Sequence, residues 1–490
     1  MLGNSSNNNF NASTTRSISA TYAAGGIVLE DRCEYNSFSG SFVSRIHADT
    51  YDAGGIALTV SNNNTFTSSD ISFINATTHD AGGIALTVSN NNTFTSTTIS
   101  YVNASNDAAG ILLNMSDYNT FTSSIISYIT ATTHDAGGIA LRTFTNDTSF
   151  TSSTISYVNA SNVAAGVYCD LMVKGSFTDT TIRDVTGNDS AYGIFALDLE
   201  NVNFDPTVIE NVTARNYGAF GIAMNVINGS FTDTAIRNIY GRKASSFPFG
   251  YAYMSAVGIA MTGRNGSFTD TSIRDIFGND SAFGILMFAE NVNFDPTVIE
   301  NVTARNNGAA GIAPIVINGS FTDTTIRDIN GNTSASGIWA AYLENVTFTN
   351  GEITNCGHGV WLENGSDNRI AGFIIRDNTL FDTGVHLETD TSSTTTIRNC
   401  FFNNVLQALD NGTNNNWDGN YWEPEPGGPG DYSIPGTASR EDRNPLGYCP
   451  LCAAVEVPAV TPLGIAALVG LLALIATSTI VMKKRKDEEK

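Results

Sequence analysis

Residues 55–66 read GIALTVSNNNTF, and residues 83–94 repeat those twelve letters unchanged. Within the segment Ile56, Leu58 and Val60 alternate with Ala57 and Thr59, a period of two that describes a strand with one buried face. Three asparagines then signal a turn. Phe66 follows in a second short strand and Ile71 in a third.

The same three marks run along most of the chain. Phenylalanine recurs at Phe10, Phe38, Phe66, Phe94, Phe121, Phe150, Phe177, Phe204, Phe231, Phe268, Phe294, Phe321 and Phe348, at intervals of 26 to 29 residues except for one of 37. A Gly-Ile or Gly-Val pair keeps the same beat from Ile27 to Val385. A third column of isoleucines runs from Ile71 through Ile99, Ile126 and Ile155 to Ile375 and Ile397. No single unit of this length can bury its own Phe, Ile and Gly-Ile positions, whereas stacking turns each column into a continuous internal ladder. Three short strands and three turns per unit predict one coil of a parallel β-helix. About fifteen coils at the inter-strand spacing of about 4.8 Å give a length of roughly 70 Å. The glycine before each Ile is expected to let the chain turn sharply into the strand.

Composition agrees with an all-β chain. Asn, Ser and Thr number 53, 44 and 56 of 490 residues, and charged residues are only 14%, too few to coat helices. The 41% hydrophobic content is enough to build a core. Residues 1–482 carry 19 basic and 44 acidic side chains, a net charge of −25 that repels phosphate backbones and excludes a nucleic-acid partner. Cys356 and Cys400 occupy equivalent places two coils apart, about 10 Å, which is beyond bridging range.

Leu463–Met482 is an uncharged, apolar stretch of 20 residues, long enough to cross a bilayer as a helix. Lys483, Lys484, Arg485 and Lys486 follow it, so the positive-inside rule places the tail in the cytoplasm and residues 1–462 outside. The expected organisation is therefore β-helix repeats over 1–405, a closing module over 406–450, a juxtamembrane linker over 451–462, a transmembrane helix over 463–482 and a basic tail over 483–490. Met1–Phe10 has no basic or apolar leader although the repeat already runs at Phe10, so the true start is expected upstream.

The repeated Gly-Ile-x-Leu, Asn-x-x-Phe and Thr-Ile-x-x strands resemble the right-handed parallel β-helix superfamily, and within it the NosD-type, periplasmic copper-binding repeats of archaeal surface proteins. Asn416–Trp422, Gly430–Ile434 and Asp442–Leu446 resemble the closing module of those proteins. Val457, Pro458 and Pro462 resemble a Val-Pro-x-x-x-Pro archaeal sorting signal, which would be cut by a sortase-like protease. The superfamily holds lyases, epimerases, glycosidases, adhesins and scaffolds, so the resemblance implies a fold and leaves the activity open.

The residues themselves narrow that choice. Residues 175–241 recur almost unchanged as 266–331, which multiplies a surface without building a unique cluster and favours a scaffold or adhesin over an enzyme. Trp339, Trp361 and His386 each follow an inward Ile or Val and should point outward on consecutive coils, with Glu363 and Glu388 on the same side. Aromatics beside carboxylates suit a sugar, whose apolar face packs on the ring while its hydroxyls bond the acids. Glu363 and Glu388 are the catalytic candidates of an alternative reading as a polysaccharide lyase, epimerase or glycosidase, since residues one coil apart approach the separation retaining glycosidases use. The 37-residue interval holds an aromatic insertion, 241–253, that could grip a ligand. A ladder of Arg183, Glu210 and Arg237, repeated as Arg274, Glu300 and Arg327, is expected to pair across coils and hold register.

Asn75, Asn103, Asn159, Asn211, Asn228, Asn265, Asn318 and Asn364 open Asn-x-Ser/Thr triplets at turns and are glycosylation candidates. The five histidines form no cluster, so no metal or other cofactor is expected. The chain is read as a membrane-anchored, glycosylated surface protein whose partners are glycans or cell-envelope components.

Overall fold

The early coils each carry three short strands hydrogen-bonded in parallel to their counterparts on neighbouring coils, and later coils fuse these into longer ones such as Ser176–Gly187 and Ala282–Ala304. The computed structural model describes residues 2–243, 245–246, 253–378, 383–423 and 432–451. In it Ala53–Thr59, Ala81–Thr87 and Ala108–Asn114 stack with Ile56, Ile84 and Ile111 in register. Thr65–Thr67 lies on Thr93–Thr95 with Phe66 opposite Phe94, and Asp70–Ala76 lies on Thr98–Ala104 with Ile71 opposite Ile99. Repetition of this unit makes a right-handed parallel β-solenoid of about fourteen turns. One compact unit covers Met1–Gly447; the second, Tyr448–Lys490, is described only over residues 448–451.

The Phe column is the spine of the core. From Phe38 to Phe348 the rings are buried, and neighbours stack nearly parallel at centroid distances of 4.3 to 5.2 Å. Burying one such ring contributes about 1.5–3 kcal/mol, and each stacked pair adds about 0.5–1.5 kcal/mol. The Ile column is buried in the same way from Ile71 to Ile375. Ile397 departs from it: its coil is shorter, Phe401 pairs with Ile375 and takes the inward place, and Ile397 pairs with Ala371 half-exposed.

Two local expectations are corrected. Val60 does not belong to the buried face; it follows the strand Ala53–Thr59 in the left-handed region, with φ of 49°, and is 40% exposed because the chain turns there. The glycines before Ile serve contact rather than turning. Gly83 has an ordinary φ, but a Cβ there would lie 2.3 Å from Ile99 Cγ2 and 2.6 Å from the Gly110 carbonyl oxygen. The Gly-Ile strand therefore sits against the Ile strand more closely than any side chain permits.

The asparagines at the turns do more than reverse the chain. Asn36, Asn64, Asn92 and Asn119 are buried one above another. The backbone N–H of each of the first three donates to the amide oxygen of the next at 2.9 Å, and their side-chain N–H groups donate to that same oxygen. This ladder satisfies polar groups that water cannot reach, and so fixes the spacing of successive coils.

The charge ladder forms across coils in part, with no ion pair for Arg183 among the described residues. Arg237 Nε donates to Glu210 at 2.8 Å, and Glu300 receives both Arg274, at 2.8 Å, and Arg327. At the C-terminal end Trp417 and Trp422 are buried, and their indole N–H groups donate to the buried carboxylates of Asp410 and Asp442 at 2.9 and 3.1 Å. Tyr432 stacks on Trp422 at 4.2 Å and Trp422 on Phe401 at 4.5 Å, so aromatic rings cover the last open coil.

Cys169 and Cys356 are buried thiols held protonated by burial, while Cys400 and Cys449 each belong to a disulfide. Among the described residues no helix is long and apolar enough to cross a membrane. The expected transmembrane stretch 463–482, the tail 483–490 and the motif residues Val457, Pro458 and Pro462 lie outside the described residues.

Candidate functional site

On most coils the outward positions of the Gly-Ile strand are small. From Tyr168 onward large apolar residues appear among them, Tyr168, Tyr192, Phe195, Phe220, Phe283 and Leu286 interleaved with alanines, so this strand is buried on both faces over several coils, an arrangement usual for covered parallel sheets. Tyr192, Phe220, Val257 and Phe283 stand just before the glycine on successive coils, and together with Leu286 and Met254 they form a second apolar cluster outside the main core. Met254 directly follows the long insertion, where Ser245–Ser246 and Tyr253–Met254 pair antiparallel; residues 244 and 247–252 lie outside the described residues. The end of the insertion is thus tied to this face by a buried side chain. Burial raises the Tyr192 phenol to about 12 and keeps it protonated.

Beyond the cluster the face opens into a cavity of about 530 Å³ lined by Phe283, Leu286, Phe288, Ala313, Pro314 and Trp339, with Ser281, Ser334 and Ser336 along its rim. Phe288 and Ile315 are shared with a neighbouring cavity of about 450 Å³ that is more polar, lined also by Asn225, Arg264, Glu290 and Tyr342. Both volumes lie in the range of small-molecule sites. Together they form a groove with an apolar floor at one end and charged groups at the other.

Trp339 closes the apolar end. It is half-buried, faces Phe283 at a centroid distance of 6.4 Å, and donates its indole N–H to Glu363 Oε1 at 2.8 Å. Trp361 pairs in register with Trp339 on one side and with His386 on the other. The Trp361 and His386 rings stack at 5.9 Å, and His358 tilts against Trp361 at 5.1 Å. Glu388 Oε1 lies 3.4 Å from His386 Nε2. Burial lowers the His386 pKa below its usual 6.5, outweighing the attraction of Glu388, so near neutral pH the ring is uncharged. Register slips between Leu362 and Asn364, so Glu363 and Glu388 sit at a bulge rather than in a regular pair. Among the described residues the buried Trp361 Nε1 has no hydrogen-bond partner.

Trp339, Trp361, His386, Glu363 and Glu388 are therefore neighbours on one face, with only Trp339 lining the cavity. The groove itself was not foreseen. Its signal was legible in the large apolar residues on both phases of the alternation, as in Tyr192-Gly-Ile-Phe195 and Phe283-Gly-Ile-Leu286.

The eight sequon asparagines are all exposed or half-exposed. Asn211 Nδ2 donates to Asp184 at 2.9 Å, and Asn228 and Asn265 join one ladder at 3.0 and 2.8 Å. Asn345 donates to Asn318 at 2.8 Å, and Asn75 Nδ2 lies 2.8 Å from His47 Nδ1.

A family model described as periplasmic copper-binding protein (NosD) matches residues 251–428. No curated protein matches the chain. Among solved structures, the A-module of the Azotobacter vinelandii mannuronan C-5 epimerase AlgE4 is similar at 10% identity, over 72% of this chain and 90% of that one, with a TM-score of 0.38. The Dettilon tailspike protein is similar at 11% identity over 64% and 62% of the two chains, TM-score 0.33, and the Agl-KA catalytic domain at 13% over 74% and 62%, TM-score 0.32. Among the described residues no three His, Cys, Asp or Glu side chains are placed to hold a metal ion such as copper. His79 and His134 each bond the preceding threonine, and His47 bonds Asp49.

Proposed function

We propose that this chain is a surface-displayed parallel β-helix that binds glycans in the groove between Ser281 and Tyr342, with Leu463–Met482 as its membrane anchor and a glycosylated exterior. The observation that carries this reading is the Trp339–Glu363 pair at the end of an aromatic-floored groove. A sugar ring has one apolar face, which packs on Trp339 or Phe283, and hydroxyls that bond Ser334 and Ser336, while Glu363, outside the cavity lining, orients the Trp339 indole. The duplicated coils, residues 175–241 and 266–331, favour a structural or adhesive role. The full chain, screened on a glycan array, is expected to bind a restricted set of oligosaccharides and to lose them on Trp339→Ala. Binding indifferent to that change would overturn the reading.

The proximity of Glu388 to His386, with Glu363 one coil away, favours a second reading in which the same face turns over a polysaccharide. Release of reducing or unsaturated ends by the full chain, abolished by Glu363→Gln, would establish it.

A further inference from the structure

Two residues after each inward Ile, the Ile strand carries a residue in the left-handed region on nearly every coil. From Asp184 through Asn211, Asn238, Asp275, Asn301 and Asp328, that residue is Asp or Asn, with φ of 56° to 59°. These two residue types tolerate the conformation because a short polar side chain bonds locally. The six coils before them break the rule, first with Ser17 and Arg45 and then with four aromatics: Phe73, Tyr101, Tyr128 and Tyr157 hold the same φ of 56° to 57° with bulky side chains, for which it is strained. All four are 41% to 53% exposed, and their rings stack at centroid distances of 4.9, 4.8 and 4.7 Å. The chain thus accepts backbone strain to hold an aromatic ladder in water.

Two residues further along, on the same outer face, stand Asn75, Asn103, Thr130 and Asn159. Three of these four open the sequons Asn75-Ala-Thr77, Asn103-Ala-Ser105 and Asn159-Ala-Ser161. Where the left-handed residue is Asp or Asn the equivalent positions are Thr186, Thr213, Tyr240, Phe277, Thr303 and Asn330, none of which opens a sequon. Ring and asparagine are two strand residues apart, about 6.7 Å, within reach of the first sugar on the amide.

We propose that this ladder is a seat for the chain's own N-linked glycans, above all at its ends. Inside the ladder each ring covers its neighbours' faces. The outer face of Tyr157 instead looks toward the coil of Asp184, and that of Phe73 toward the coil of Arg45, so each offers a flat apolar surface to the apolar face of a sugar. Asn159 is the isolated case, with threonine at the equivalent position on both neighbouring coils. The proposal rests on the glycosylated exterior put forward above.

The test compares the full chain and its Tyr157→Asp variant, each made in a host that attaches N-linked glycans and in one that does not. Glycopeptide mass spectrometry reads Asn159, and amide hydrogen exchange reads the strand Thr154–Ala160. The glycan is expected to slow exchange there roughly three- to tenfold in the parent chain, and to do so little or not at all in the variant. Without glycan the variant is expected to be as protected as the parent or more so, since Asp suits the left-handed backbone. Equal glycan-dependent protection in both chains, or equal loss with and without glycan, overturns the seat while leaving glycosylation intact. An unmodified Asn159 overturns the glycan reading of that site and the seat with it.

Discussion

The indole N–H of Trp339 reaches across one coil to Glu363 Oε1 at 2.8 Å, so the aromatic that closes the groove and the nearest carboxylate are held as one unit. Glu363→Gln keeps an oxygen for that bond and removes the charge. It is expected to change affinity for acidic and neutral oligosaccharides differently while leaving the groove intact. Trp339→Ala removes the stacking surface and is expected to cost roughly tenfold or more in affinity for every ligand of the groove. Titration calorimetry on both variants separates the two effects.

Glycines of the two neighbouring columns should respond oppositely to the same substitution. Gly83→Ala drives a methyl into Ile99 and the Gly110 carbonyl, and is expected to cost about 1–3 kcal/mol or more. Gly54 has nothing within 4 Å of the added atom and an ordinary φ, so Gly54→Ala should be neutral or stabilise by about 0.4–1 kcal/mol. Hydrogen exchange across Ala81–Thr87 and Ala53–Thr59 measures each locally, which suits a stack whose coils contact only their neighbours.

Asn64→Ala should open the asparagine ladder. It leaves the Asn36 backbone N–H without its acceptor and removes the bond to the Cys33 carbonyl, both buried. A loss of about 1–3 kcal/mol per unsatisfied group is expected, visible as a lower urea midpoint and faster exchange on the coils either side. Asn62→Ala, on the half-buried side of the same turn, should be milder.

His386 provides the pH test. Its folded pKa is depressed below 6.5, so between the two values the unfolded state binds more protons than the folded one and stability rises with pH. The contribution is complete above about pH 6.5 and is lost as pH falls toward the folded midpoint. Because His386 stacks on Trp361, indole emission should change over that window, and His386→Phe should remove the change.

The repeat was legible because its period is strict. Phe66, Phe94 and Phe121, with Ile71, Ile99 and Ile126, recur at one interval, and a column of equal spacing in a chain of short strands has one compact solution, stacking. The outward placement of Trp339, Trp361 and His386 follows from the same alternation, since each follows an inward residue. What alternation cannot supply is distance between different faces, or the backbone conformation at a bulge.

Those came only with the coordinates. The letters of Gly83 and Gly54 are identical, yet one lies against Ile99 and the other in open space, a matter of where neighbouring coils pass. Phe73 and Phe66 are seven positions apart and chemically the same, yet Phe66 is buried and Phe73 is left-handed and 53% exposed. The amino-acid order alone settled a coiled stack of parallel strands and which columns run inside it, because periodicity and burial are one-dimensional constraints. The groove, the asparagine ladder and the exposed rings were decided by packing between coils, where residues about 27 apart become neighbours and a single bulge turns a side chain outward.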